Sequence, residues 1–162
     1  MSDNRYEDNK YIAMAAEAFR QDRSRENLFR MLDVLMQRML DEGEAPMAMV
    51  DVNHSFDLFE LGDAKVGDSF TLKEGARLRI DTVSNEPGVE WIPLYTDEDE
   101  INKMPTANIH INMSIYDILA SGLRSNRANG IVINPFGLAL TVPKDILEIV
   151  VKRYEEMKGE EL

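Results

Sequence analysis

The fold class is decided by the stretch Gly130-Ile131-Val132-Ile133-Asn134-Pro135-Phe136-Gly137-Leu138-Ala139-Leu140-Thr141-Val142-Pro143. Its two apolar runs, 130–133 and 138–142, are separated by a tetrapeptide with proline second and glycine fourth, which suits a type I turn. Pro143 comes next and is typical of the first turn of a helix, where its missing N–H costs nothing. The stretch therefore predicts a strand, a turn, a strand and a final helix.

The residues before this hairpin predict further strands. Runs 77–83 and 89–95 read as a pair, because Pro87 and Gly88 between them suit a type II turn. Run 69–72 reads as another strand, joined to the pair by a turn at 73–75. A first strand is expected from Met47 to about residue 52.

Helical periodicity marks the remaining elements. Apolar residues at helical spacing over 11–19 predict a first helix that ends near Arg20, and Ser24 is a plausible N-cap for a second. The second helix carries an apolar stripe over 28–40, with Arg38 turned away from it, and Gly43 provides the stop. A short acidic helix is expected from Thr96, and a capped one from Ser114 to about residue 123.

These elements predict an α+β fold. We expect a mainly antiparallel or mixed sheet of about five to seven strands with helices packed on it and an N-terminal helical pair, not a doubly wound parallel sheet. At 162 residues the chain fits a single domain, 1–162. Within it we assign 1–23 as a helical extension, 24–157 as the core domain and 158–162 as a frayed tail.

The charge of the chain is concentrated in one third of its length. The formal net charge is −12, and residues 41–100 carry it all, with sixteen Asp or Glu against four Lys or Arg. A negative field of this kind repels phosphate, so nucleic acid and anionic membranes are disfavoured partners. The stretch is either a solvated surface that aids solubility or a docking face for a basic protein, and the first reading is favoured.

Composition also bears on location. The chain has no cysteine, its first residues are polar and of mixed charge, and its apolar runs are far shorter than the roughly 20 residues that span a bilayer. We therefore expect a cytoplasmic protein without disulfides.

Little in the sequence suggests catalysis. His54 and His110 are the only histidines, and no nucleophile elbow, phosphate-binding loop or zinc-protease motif is present. Asp97, Asp99 and Glu100 could be imagined as cation ligands, but helix capping explains them better. We expect no enzyme activity, no cofactor and no metal site.

Two segments resemble a known family. The strand that runs through a proline into an acidic helix, Trp91-Ile92-Pro93-Leu94-Tyr95-Thr96-Asp97-Glu98-Asp99-Glu100, together with the stretch 130–146, resembles the N-terminal domain of the bacterial SseB (enhanced serine sensitivity) proteins. The resemblance covers roughly residues 24–155. Because that family has no established catalytic activity, it implies a non-catalytic protein-interaction or regulatory domain.

The same two segments provide the candidate site. We expect them to form a shared edge that binds a protein partner with a basic surface, through nine residues: Trp91, Tyr95, Asp97, Asp99, Glu100, Asn134, Pro135, Phe136 and Gly137. Phe136 either folds back into the core, which we favour, or projects as an aromatic anchor. The alternative function is a sensor for a small, amino-acid-like metabolite with a pocket between sheet and helices. Homodimerisation stays open.

Overall fold

A computed structural model describes residues 4–51, 78–104 and 109–160. After a 3₁₀ helix at Asn4–Asn9, the α-helices are α1 (Lys10–Gln21), α2 (Arg25–Leu40), α3 (Glu98–Ile101), α4 (Ile115–Arg124) and α5 (Lys144–Glu160). The strands are β1 (Glu44–Asp51), β2 (Leu78–Ile80), β3 (Val83–Glu86), β4 (Val89–Leu94), β5 (Ile109–Ser114), β6 (Ala128–Ile133) and β7 (Leu140–Pro143). None of these helices is long and apolar enough to cross a bilayer.

The described strands form two sheets. One has the order β2-β1-β5 and is antiparallel throughout; the other has the order β3-β4-β6-β7 and contains one parallel pair, β4 with β6. The α+β prediction, with its N-terminal helical pair, is confirmed. The seven strands are divided between two sheets, whereas we expected one. The strand predicted at 69–72 and its turn at 73–75 lie outside the described residues.

Two helices begin at a serine side chain that satisfies an otherwise unpaired backbone N–H. Ser24 accepts a hydrogen bond from the amide of Asn27 at 3.2 Å, which starts α2 as predicted. Ser114 does the same for α4, accepting from the amide of Asp117 at 3.0 Å. Capping therefore explains these helix starts from local chemistry alone.

The core joins α1 to the rest of the molecule. Ile12 and Ala16 of α1 are fully buried in the same cluster as α2, α4, α5 and both sheets. Within the segment assigned as a helical extension, 1–23, α1 therefore packs into the core and covers side chains that would otherwise face water. At the other end, α5 is helical to Glu160, beyond the predicted start of the tail at residue 158.

Two regions of the sheets differ from the prediction. Run 77–83 is not one strand: β2 ends at Ile80 and β3 starts at Val83, in a different sheet. The strand β5 was not expected, and it pairs along β1 with Met47 opposite Ile111. Its alternating exposure, with His110 turned outward, is the half-buried strand pattern.

The end of α2 is built differently from the prediction. The residue with positive φ is Glu42, at 58°, and not Gly43. Gly43 instead makes room for Arg38, since a Cβ at Gly43 would lie 2.5 Å from the Arg38 guanidinium. Arg38 is buried, 7% exposed, so the expectation that it turns away from the core is also wrong.

Candidate functional site

The two candidate segments meet because β4 and β6 are parallel neighbours. Leu94 and Ile133, the last residues of these strands, are paired, and the Asn134 amide extends the ladder by donating to the Leu94 carbonyl at 2.9 Å. The chain leaving β4 enters α3, and the chain leaving β6 enters the turn at 134–137. Both lie at the same edge of the sheet, as the sequence predicted.

Asn134 holds the two exits together. Its Oδ1 accepts from the Thr96 amide at 2.9 Å, and its Nδ2 donates to the Thr96 hydroxyl at 3.0 Å. Its backbone has φ 49°, and its carbonyl accepts from the amides of Gly137 and Ala139, each at 2.9 Å. Asn134 is only 4% exposed, so the structure places this predicted site residue in the interior, where it shapes the turn from within.

Tyr95 is also an internal residue. It is fully buried in a small cluster with Ala48 and Ile101. Burial, and then the negative charge of Asp81, raise the pKa of Tyr95 above its ordinary value, so the phenol stays neutral. The structure therefore places Tyr95, like Asn134, in the interior of the molecule and not on its surface.

The acidic residues of α3 have two different roles. Asp97 caps the helix, and its Oδ1 accepts from the Glu100 amide at 2.9 Å. Glu100 is largely covered and forms an ion pair with Lys103 at 2.7 Å, a contact that raises the pKa of Lys103. Glu98 and Asp99 are exposed. The outward negative charge of α3 therefore belongs to Asp97, Glu98 and Asp99.

The turn rests directly on α3. A Cβ at Gly137 would lie 2.9 Å from Oε1 of Glu100 and 3.3 Å from Nζ of Lys103. A larger residue here would require the ends of the Glu100 and Lys103 side chains to move. Pro135 next to it is half-buried. The contact makes the two candidate segments one continuous surface.

Phe136 is the exposed apolar residue of this turn, with 42% of its surface accessible. The expectation that it folds back into the core is therefore wrong. Together with Asp97, Glu98 and Asp99 it forms what we call the α3–turn surface. Trp91 is not part of this surface, because it lies opposite Val83 and roughly 10 Å before the end of β4.

A polar network centred on Asn9 and Arg38 lies behind this surface. The sequence did not predict it. Asn9 donates through Nδ2 to the carbonyls of Thr96, at 3.1 Å, and Glu44, at 2.8 Å. Arg38 in turn donates through Nε to Oδ1 of Asn9 at 3.0 Å. Asp8 and Asp41 lie 3.8 Å and 3.7 Å from the guanidinium and balance its charge. The N-terminal helix thus braces the exit of β4.

Comparison with known proteins adds no relative. No family model, no curated protein and no solved structure matches this chain. Within the three described ranges, no group of three His, Asp or Glu side chains could hold a metal ion. The observations that bear on function are therefore those of the molecule itself: an aromatic side chain and three acids on a braced edge.

Proposed function

We propose that this chain is a non-catalytic protein-interaction domain that binds a basic segment of a partner protein on the α3–turn surface. The observation that carries the proposal is the exposure of Phe136 on a turn packed against the acidic helix α3. The role is the one that the resemblance to the SseB family implies. We place it in the cytoplasm, in keeping with a chain without cysteine.

Phe136 is not explained by the requirements of the turn. The backbone uses Pro135 and Gly137, and Asn134 provides the side-chain brace, but the third position tolerates most residues. A partner that covered the exposed part of the ring would gain on the order of 1 kcal/mol from burial alone. Aromatic side chains are also enriched among the residues that dominate binding energy.

Contacts within the chain set the position of the turn before any partner arrives. The turn is fixed on one side by the bonds of Asn134 to Thr96 and on the other by the contact of Gly137 with Glu100. A surface that is already ordered loses little conformational entropy on binding, so more of the contact energy appears as affinity.

The charge of the surface selects the partner. Asp97, Glu98 and Asp99 point outward, whereas Glu100 is neutralised by Lys103. An arginine of the partner could pair with these carboxylates and stack on Phe136, because guanidinium groups bind well to aromatic faces. Exposed charges of this kind speed association and are screened by salt.

The test is affinity capture from a lysate of the source organism with the tagged full chain, at low and moderate salt, read by mass spectrometry. Two surface variants are compared with wild type. Phe136→Ala removes the anchor, and Glu98→Lys with Asp99→Lys reverses charge without touching the Asp97 cap or the Glu100 ion pair. The matched controls are Phe29→Ala, an exposed phenylalanine on α2, and Asp33→Lys with Glu156→Lys, two exposed acids on other helices.

We expect a basic protein that is retained by wild type and both controls, lost by both surface variants and released as salt rises. The captured protein is then confirmed by binding of its purified form to the same five chains. Equal binding to wild type and to the surface variants would place the interface elsewhere. No enriched protein at either salt concentration would contradict the interaction role itself.

A further inference from the structure

A cavity of about 350 Å³ opens where α4 meets both sheets. Its walls come from β2, the residues after it, β4, the end of α4 and the segment before β6, and they are Ile80, Thr82, Ile92, Ser121, Ser125 and Arg127. This volume is at the lower end of the roughly 300–1,000 Å³ typical of small-molecule sites. The cavity therefore suits a small metabolite.

One wall of the cavity is apolar. Ile92 is almost fully buried, 3% exposed, and belongs to the main core cluster. Ile80 is partly buried and packs against the same cluster from the other sheet. The two side chains form a short aliphatic surface, which favours a ligand that has an apolar part.

The opposite wall is polar and carries a cation. The Arg127 side chain is 65% exposed and makes a loose ion pair, its Nε lying 3.5 Å from a Glu90 carboxylate oxygen. This contact is made through Nε, one of the three nitrogens that carry the five N–H donors of arginine. Lys144 donates to the Ser125 carbonyl at 2.8 Å and adds a second positive charge nearby.

The geometry points to a binding site for a small carboxylate with a short aliphatic tail. The carboxylate is held by the Arg127 fork, which matches its two oxygens, and by the hydroxyls of Ser121 and Ser125. The tail lies against Ile80 and Ile92. A ligand of this kind contacts both sheets at once, so its binding stabilises their packing by mass action.

Two kinds of carboxylate fit this description, and Glu90 distinguishes them. A plain fatty carboxylate would compete with Glu90 for Arg127. An α-amino acid would instead bring an ammonium group that can pair with Glu90 while its carboxylate pairs with Arg127. The shared chemistry is a carboxylate beside an aliphatic chain.

This site is separate from the α3–turn surface. Arg127 precedes β6 and Asn134 follows it, and at about 3.3 Å per strand residue the two ends lie on the order of 20 Å apart. The two proposals therefore fail or succeed independently.

The test is titration of the ¹⁵N-labelled full chain with three probes at millimolar concentrations: isocaproate, leucine and isocaproamide. We expect saturable amide shifts at Ser121, Ser125 and Arg127 with at least one of the first two, and weaker binding of the neutral amide. Tighter binding of leucine than of isocaproate assigns the ammonium group to Glu90, and the reverse order assigns a plain carboxylate.

Arg127→Gln replaces the guanidinium by a shorter, uncharged amide at an exposed position. It should weaken carboxylate binding about tenfold, the loss expected for one charge-assisted hydrogen bond. Arg153→Gln, on the exposed side of α5, is the matched control and should bind as wild type does. Binding that Arg127→Gln leaves unchanged, or no saturable shift at the cavity with any probe, would overturn the proposal.

Discussion

Asn134 and Thr96 join the exits of two parallel strands through a pair of buried hydrogen bonds. The Thr96 amide donates to Oδ1 of Asn134, and Nδ2 of Asn134 donates to the Thr96 hydroxyl. Asparagine suits this position twice, since its amide is both donor and acceptor and its backbone tolerates the observed positive φ. The α3–turn surface depends on this pair, because it sets where the turn and the helix lie.

Replacing Asn134 should therefore destabilise the fold. We expect Asn134→Ala to lower the free energy of unfolding by roughly 2–4 kcal/mol, from buried partners left unpaired and from alanine held at positive φ. Asn134→Gly should cost less, because glycine adopts this conformation freely. Urea denaturation measures both. Asn129→Ala, at an exposed asparagine on β6, is the control, and an Asn134→Ala variant as stable as this control would show that the pair is dispensable.

The hairpin that decides the fold depends on a glycine. Gly130 has φ 145°, and a Cβ there would lie 2.1 Å from the carbonyl oxygen of Val142 on β7. That contact is with backbone, which cannot move without breaking the β6–β7 pairing. We expect Gly130→Ala to cost roughly 2–4 kcal/mol of stability.

The control for Gly130 is a glycine without such neighbours. A Cβ at Gly159 of α5 would meet nothing within 4 Å, so Gly159→Ala should be neutral or slightly stabilising. If the two variants unfolded at the same guanidinium concentration, the added Cβ at residue 130 would cost no stability. The close contact between Gly130 and β7 would then not matter for the fold.

Local chemistry made the capped helices and the hairpin predictable. Ser24 and Ser114 cap within their own first turn, and the turn of β6–β7 is built from adjacent residues, so each signal is complete in a short window of sequence. The strand β5 also has a local signal, the alternation of exposure around His110, although no strand was predicted there.

Long-range contacts explain what the sequence did not reveal. Arg38 looks like a surface residue on its own helix, and only the arrival of Asn9 from the N-terminal segment provides the partner that lets it be buried. Tyr95 and Asn134 look like an exposed junction until β4 and β6 are known to be parallel neighbours. The exposure of Phe136 depends on how the turn packs on α3, which is a tertiary property.

The hydrogen bonds of Asn9 should make the N-terminal segment important for the stability of the fold. Asn9→Ala removes the acceptor of Arg38 and the donor to two carbonyls, and the contacts with Arg38 and Thr96 are buried. We expect a loss of roughly 2–3 kcal/mol, because buried polar groups left unpaired keep their desolvation cost. Chemical denaturation measures it, with Asn102→Ala at an exposed position after α3 as the control.

A double-mutant cycle tests whether the network is the cause. In an Arg38→Met background there is no guanidinium to pair with Asn9. Asn9→Ala should therefore lower the free energy of unfolding by less than it does in wild type. Additive costs would show that Arg38 and Asn9 act independently despite their contact.

Acid should weaken the contact between α4 and α5. Nη2 of Arg124 donates to both carboxylate oxygens of Glu155, at 2.8 Å and 2.6 Å, and the Tyr116 hydroxyl donates to the same carboxylate. The hydrogen bond from Arg124, and then that from Tyr116, lower the pKa of Glu155 below its ordinary value of 4.5. A lowered carboxyl pKa means that the folded state holds the charged form more strongly than the unfolded state does.

The stabilisation from Glu155 is therefore complete above about pH 4.5 and is lost as the pH falls through the lowered pKa. We expect Glu155→Gln to be less stable than wild type near neutral pH and the difference to shrink as the solution is acidified. Thermal unfolding monitored by circular dichroism over this range measures it. Glu156→Gln removes the same charge from the exposed neighbouring residue and corrects for the change in net charge. A difference between Glu155→Gln and Glu156→Gln that did not depend on pH would mean that the carboxylate charge contributes nothing to the packing of α4 on α5.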